Sequence, residues 1–218
     1  RDLHSFPTRR SSDLKSNSIE LSSVIEVGNF SNKISVYKTD YRDFKFRRLT
    51  GVSRGGVTVM EWDETDLETK GLEYEFKYLY EMPRDHHLTF TLFGDFVENK
   101  SKRKLFIAGN YLPNLPNEKH GINIHYQYGD LTAFGRAIYY KKQKESGGLL
   151  RGGDLIFPSY TLVDAGIGKK FPLDKLTVSV DVVINNLTNV EARPASSQLK
   201  YLAPLPGRNY GLNVKVDF

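Results

Sequence analysis

Cysteine is absent from the 218-residue sequence, which removes disulfides and thiolate metal sites from consideration. No stretch approaches the ~18 uninterrupted apolar residues of a membrane-spanning helix. That excludes a helical membrane protein, but not a barrel, whose strands hide their apolarity in alternation. The N-terminus has no apolar core of the kind that marks a signal peptide. No segment carries a sustained helical stripe, so helix is a minor component at most. Charge of one sign is also missing. The formal charge is +5 and the pI near 9.2, yet the basic residues are scattered and often sit beside acids, as in Lys38-Thr39-Asp40 and Lys144-Glu145. The runs at Lys102–Lys104 and Lys141–Lys144 are short, and the Arg-Gly-Gly triplets at Arg54 and Arg151 are isolated. A nucleic-acid partner is not indicated. With 39% hydrophobic and 26% charged residues, the composition does not signal disorder.

Residues 1–14, RDLHSFPTRRSSDL, resemble the in-frame translation of a sequencing adapter. They are set apart from fold reasoning as a non-native segment, and native protein is expected from Lys15 onward.

From Lys15 the dominant pattern is period-two alternation interrupted by turn chemistry. It predicts strands over 17–28, 32–43, 67–81, 87–98, 119–128, 131–143, 159–171, 175–186 and 208–218. The first, third, fifth and seventh connections are short, at Asn29–Ser31, Met82–His86, Gly129-Asp130 and Pro172–Asp174. The others are long, covering 44–66, 99–118, 144–158 and 187–207. Strict short–long alternation is the pattern of an up-and-down transmembrane barrel; Greek-key sandwiches do not alternate so regularly.

In the last strand Tyr210, Leu212, Val214, Val216 and Phe218 share one face, while Asn209, Gly211, Asn213, Lys215 and Asp217 share the other. A slip of one residue would drive Lys215 and Asp217 into hydrocarbon, and a basic residue there costs roughly 2–4 kcal/mol near the midplane. The strand over 175–186 repeats the logic, with Val183 the one apolar residue on its inner face. Leu72 to Tyr80 and Ile122 to Tyr128 alternate in the same way, but the strand over 32–43 loses its pattern after Tyr37. Phe30, Tyr80, Tyr128, Phe171 and Phe218 all fall beside short connections or the chain end, as an interfacial aromatic girdle would.

No catalytic, metal or cofactor constellation is predicted. Asp85-His86-His87 lies at a short turn, and adjacent strand residues point to opposite faces and chelate poorly. His120 is a lone histidine near the opposite rim. His125 and Arg136 are the candidate lumen contacts. The sequons at Asn29, Asn99 and Asn186 are read as turn chemistry.

The stretch YTLVDAGIGKKF from Tyr160, the strand exit NNLTN from Asn185 and the ending APLPGRNYGLNVKVDF from Ala203 resemble the C-terminal part of TonB-dependent outer-membrane receptors. LPNLPNEKHGINIHYQYG from Leu112, and SIELSSVIEV followed by SVYKTDYRDF, are similar to strands of that family and their flanks. ARPASSQLKYLAPLPGRN further resembles receptors for zinc, haem or iron. The resemblance implies an all-β antiparallel barrel over 15–218, about nine strands of an expected total of about 22, around an N-terminal plug lying before Lys15. It implies the outer membrane of a Gram-negative bacterium, a metal-complex or siderophore substrate, and energy from TonB reached through the plug. It also implies contact with outer-membrane lipid. Tyr210, Leu212, Val214, Val216 and Phe218 resemble the signal read by the barrel-assembly machinery, physically an open strand edge available for β-augmentation. Three other readings remain: a plug-less structural or adhesive barrel, an outer-membrane hydrolase, and a soluble sheet protein.

Overall fold

The computed structural model describes residues 13–102, 112, 115–116, 118–142, 157–197, 199 and 202–218. Within them the chain forms one nine-stranded antiparallel sheet in simple sequence order. The strands are β1 (Lys15–Val27), β2 (Phe30–Arg54), β3 (Val57–Met82), β4 (His86–Ser101), β5 (Lys119–Tyr128), β6 (Leu131–Tyr140), β7 (Tyr160–Leu173), β8 (Leu176–Asn185) and β9 (Asn209–Asp217). Two-residue turns of the tightest hairpins need positive φ, and Gly28 (φ 55°) and Gly129 (φ 51°) supply it for β1–β2 and β5–β6.

The register sorts side chains cleanly. One outer row runs Val27, Phe30, Tyr78, Phe90, Ile124, Gly135, Ala165, Ile184, Tyr210, each directly opposite the next. The faces expected for β3, β5, β8 and β9 are those observed. Phe30, Tyr80, Tyr128, Phe171 and Phe218 are all exposed at the short-turn end of the outer face. Phe96, Tyr139 and Tyr210 form a second exposed aromatic level toward the other end, which sequence reasoning did not pick out. Lys169 is the charged exception among the β7 residues of this face; its Nζ lies 5.4 Å from the Phe171 ring, as a basic side chain reaching along an apolar surface does.

The expected 44–66 loop is a correction. β2 continues to Arg54 and β3 starts at Val57, with only Gly55 and Gly56 between them, both at positive φ. Alternation vanishes after Tyr37 because both strands leave the apolar band there. The next outer positions are Lys38 and Lys70, followed by Asp40 and Glu68, and they pair as salts: Lys38–Glu68 at 2.8 Å, Lys70–Glu98 at 2.9 Å and Lys102–Asp40 at 2.7 Å. A buried cluster of Phe46, Leu67 and Leu112, with Tyr41, Phe44 and Leu115 against it, supports the extended hairpin from the inner side. Asn99 is a second correction: it lies within β4 and accepts a 2.7 Å bond from Thr69 Oγ1, so it is strand and not turn. The 144–158 loop lies almost wholly outside the described residues. So do most of the 99–118 loop, whose first residues continue β4, and nearly all of the 1–14 segment.

Candidate functional site on the inner face

The inner face is polar by register and carries the loop after β8 at its rim. One inner row runs Ser35, Glu73, Asp95, Lys119, Tyr140, Tyr160 from β2 to β7. Lys119 Nζ lies 3.5 Å from Asp95, and its backbone N–H donates to the same carboxylate at 3.1 Å. Tyr140 and Tyr160 stack at 4.8 Å with 19° between their planes. Pro116, Pro194 and Ala195 close over this row and leave a cavity of about 300 Å³. A neighbouring hollow of about 260 Å³ is lined by Lys33, Glu75 and Phe93 and shares Glu73, Asp95 and Lys119.

The rim loop is held by its first residue. Asn186 adopts φ 51°, its backbone N–H donates to Asp164 Oδ1 at 2.9 Å, and its side-chain amide donates to the carbonyls of Val190 and Pro206. Its own Oδ1 accepts from the Val190 N–H at 2.9 Å. Asn189 repeats the device, also at positive φ, accepting from the Arg208 N–H. Thus NNLTN is a strand exit whose asparagines supply both the left-handed backbone and the bonds that fold the loop. Buried Asp164 also accepts from Arg136, at 2.6 and 3.1 Å. Arg136 is therefore on the inner face and engaged with Asp164. His125 is on the same face, lining a small cleft of about 50 Å³ with Thr132, Phe134 and Asp181.

The other histidines fall on opposite faces. His87 faces inward opposite Gln127, while His86 faces outward, stacked on Tyr128 at 4.0 Å and bonded to Tyr126 Oη at 2.6 Å. His120 is outward too, bonded to Tyr74 Oη at 3.0 Å across Gly94, where a Cβ would stand 2.6 Å from the imidazole. No group of three or more metal-ligating side chains occurs among the described residues. Sequence reasoning missed Asp164 and the Glu73–Asp95 juxtaposition. The Asn185-Asn186 doublet was the available signal for the loop anchor.

Comparison with known proteins gives one family and a set of folds. A family model described as TonB dependent receptor-like, beta-barrel, matches residues 5–187. No curated protein matches the chain by sequence. Among solved structures, the copper transporter OprC is similar with a TM-score of 0.71 and 14% identity over 96% of this chain and 32% of its own. BauA, the ferric preacinetobactin receptor from Acinetobacter baumannii, is similar with a TM-score of 0.66 and 20% identity over 93% of this chain and 29% of its own. The chain spans about a third of each.

Proposed function

This chain belongs to the TonB-dependent receptor-like β-barrel family, and from that membership we propose that it is part of the barrel wall of a Gram-negative outer-membrane receptor that imports a scarce nutrient. The substrate is a metal, a siderophore or another metal complex, in keeping with the copper and ferric-preacinetobactin roles named for its structural neighbours. Energy reaches the receptor from TonB through a plug domain supplied by sequence outside this chain. The activity is transport, not catalysis.

The observation that carries this reading is the opposition of the two faces. The outer face is an exposed apolar band that wants hydrocarbon, while the inner face is charged and has the loop after β8 folded over it. On β3 the band runs from Leu72 to Met82, ten steps or about 33 Å of strand at ~3.3 Å per residue. At the usual tilt of about 40° that gives roughly the 25 Å band of outer-membrane barrels. Lipid therefore surrounds the outer face and ligand passes the inner one. In this reading His125 serves as a lumen contact, and Arg136 positions Asp164 and, through it, the loop. The barrel-assembly machinery engages the β9 edge ending at Phe218.

Deletion of the gene for the complete receptor, followed by uptake assays with copper, zinc, haem and ferric siderophores, tests the proposal. One of these should fail to accumulate, and the full-length gene should restore it only when TonB is present. Restoration without TonB would reject energy coupling. Esterase or protease activity of the purified receptor, with no uptake defect, would favour the hydrolase reading.

A further inference from the structure

The two acids of the inner row, Glu73 and Asp95, lie directly opposite each other on β3 and β4. Like charges in that position destabilise an antiparallel pair. Lys119, the next residue of the row, partners Asp95. Glu73 has no ion-pair partner among the described residues. Flanking strands add Glu20 from β1, Lys33 from β2 and Glu75 from β3 on the same face. Among the residues that line the two hollows, three acids stand against two bases, so the lining is negative. Arg136 is engaged by Asp164, and Arg193 of the rim loop by Glu191.

Glu73 and Glu75 are exposed, and Asp95 is partly buried. Glu73 and Asp95, with Lys119, line both hollows and stand between them. The rim-side hollow has aromatic walls from Tyr37 and the stacked Tyr140 and Tyr160. Carboxylates beneath aromatic rings favour a protonated amine, which gains charge-assisted hydrogen bonds and attraction to the ring faces. A cavity of about 300 Å³ is at the small end for a ligand pocket, so it suits an arm and not a whole metal complex.

Building on the receptor reading above, we propose that these hollows receive a cationic, amine-bearing arm of the transported complex, with Glu73 and Asp95 as its counter-ions. The receptor then discriminates against anionic chelates.

The test uses the full-length receptor containing this chain, purified in detergent, and equilibrium dialysis against three ferric probes. They are ferrioxamine B, which carries a protonated amine, its uncharged N-acetyl form, and a trianionic tris-catecholate complex. Ferrioxamine B should bind about ten-fold more tightly than its acetylated form. Glu73→Gln and Asp95→Asn should each abolish most of that preference while leaving the acetylated probe unaffected. Lys119→Gln, which removes a positive charge, should enlarge the preference, so a mere folding defect cannot mimic the series. Equal binding of all three probes, preference for the trianion, or an unchanged preference in Glu73→Gln would overturn the inference. A receptor that binds none of the probes yet restores uptake in the deletion strain overturns this inference alone. One that does neither overturns the receptor reading with it.

Discussion

Asp164 ties two strands and a loop together, and its carboxylate is tolerated in a buried position because each oxygen has a donor. One accepts from Arg136 and the other from the Asn186 N–H. Arg136 is nearly half exposed, so solvent screens part of the pair's energy. Asp164→Ala removes both acceptors and is expected to cost about 1–3 kcal/mol. A guanidinium-unfolding midpoint of the full-length receptor in detergent should fall accordingly, and the loop after β8 should become the first site of proteolysis. Asp164→Asn should lose less, because an amide oxygen can still accept from Asn186. A second residue-scale expectation concerns close approach. A Cβ on Gly121 would stand 2.5 Å from the Phe93 ring, and one on Gly166 would stand 2.4 Å from Phe134. In each case the far end of the ring occupies the space beside a glycine on the neighbouring strand. Gly121→Val should cost about 1–3 kcal/mol through overpacking. Adding Phe93→Ala should recover part of that loss, and an additive double mutant would show that the ring is not what the valine meets.

At the scale of elements, the extended β2–β3 hairpin stands on ion pairs above the apolar band. Lys38 holds the Glu68 carboxyl below its usual 4.5, and Lys102 holds Asp40 below 3.8. Hydrogen bonds to Glu68 and Glu98 in turn raise Lys38 and Lys70 above 10.5. The acids contribute order that is present above their ordinary values and lost as pH falls through the depressed ones. The lysines contribute order that is present below 10.5 and lost as pH climbs through the raised values. Since the chain has no cysteine, a spin label at Val57→Cys reports on the hairpin tip alone. Its mobility should stay flat between about pH 5 and 10 and rise outside that window. Lys38→Gln with Lys70→Gln should weaken this dependence, and a label blind to pH in the unmodified hairpin would refute it. The same hairpin marks where the sequence stopped being legible. Within the band one face must be apolar, so β3, β5, β8 and β9 reveal both strand and register. Beyond it neither face meets hydrocarbon, charges occupy both, and 44–66 reads as loop although it is strand. The candidate site was legible only in part. Inward Glu73 and His125 follow from alternation. The neighbours of Glu73 across its cavity come from Pro116 and Pro194, whose approach no local pattern encodes.

For the molecule as a whole, the area it exposes sets the constraint. A compact soluble protein of 24.9 kDa exposes about 10,200 Å² by the usual scaling, whereas this chain exposes 15446 Å². Part of the excess belongs to a sheet whose outer face is uncovered and whose β1 and β9 each have one unpaired edge. Such edges are not tolerated in a bilayer, so the chain needs either further strands or closure on itself. Self-closure meets a parity obstacle. In an up-and-down sheet of nine strands the first and last run in the same direction, so β1 and β9 would have to meet as a parallel pair, and single-chain bacterial barrels have even strand numbers. The 218-residue chain refolded alone into detergent is therefore expected to give no heat-modifiable monomer on cold electrophoresis and no protease-resistant core of its own mass. Linked to the upstream strands of its complete receptor, it should gain both. A lone chain that migrated as a compact, protease-resistant monomer would mean that β1 and β9 do pair, and that nine strands suffice.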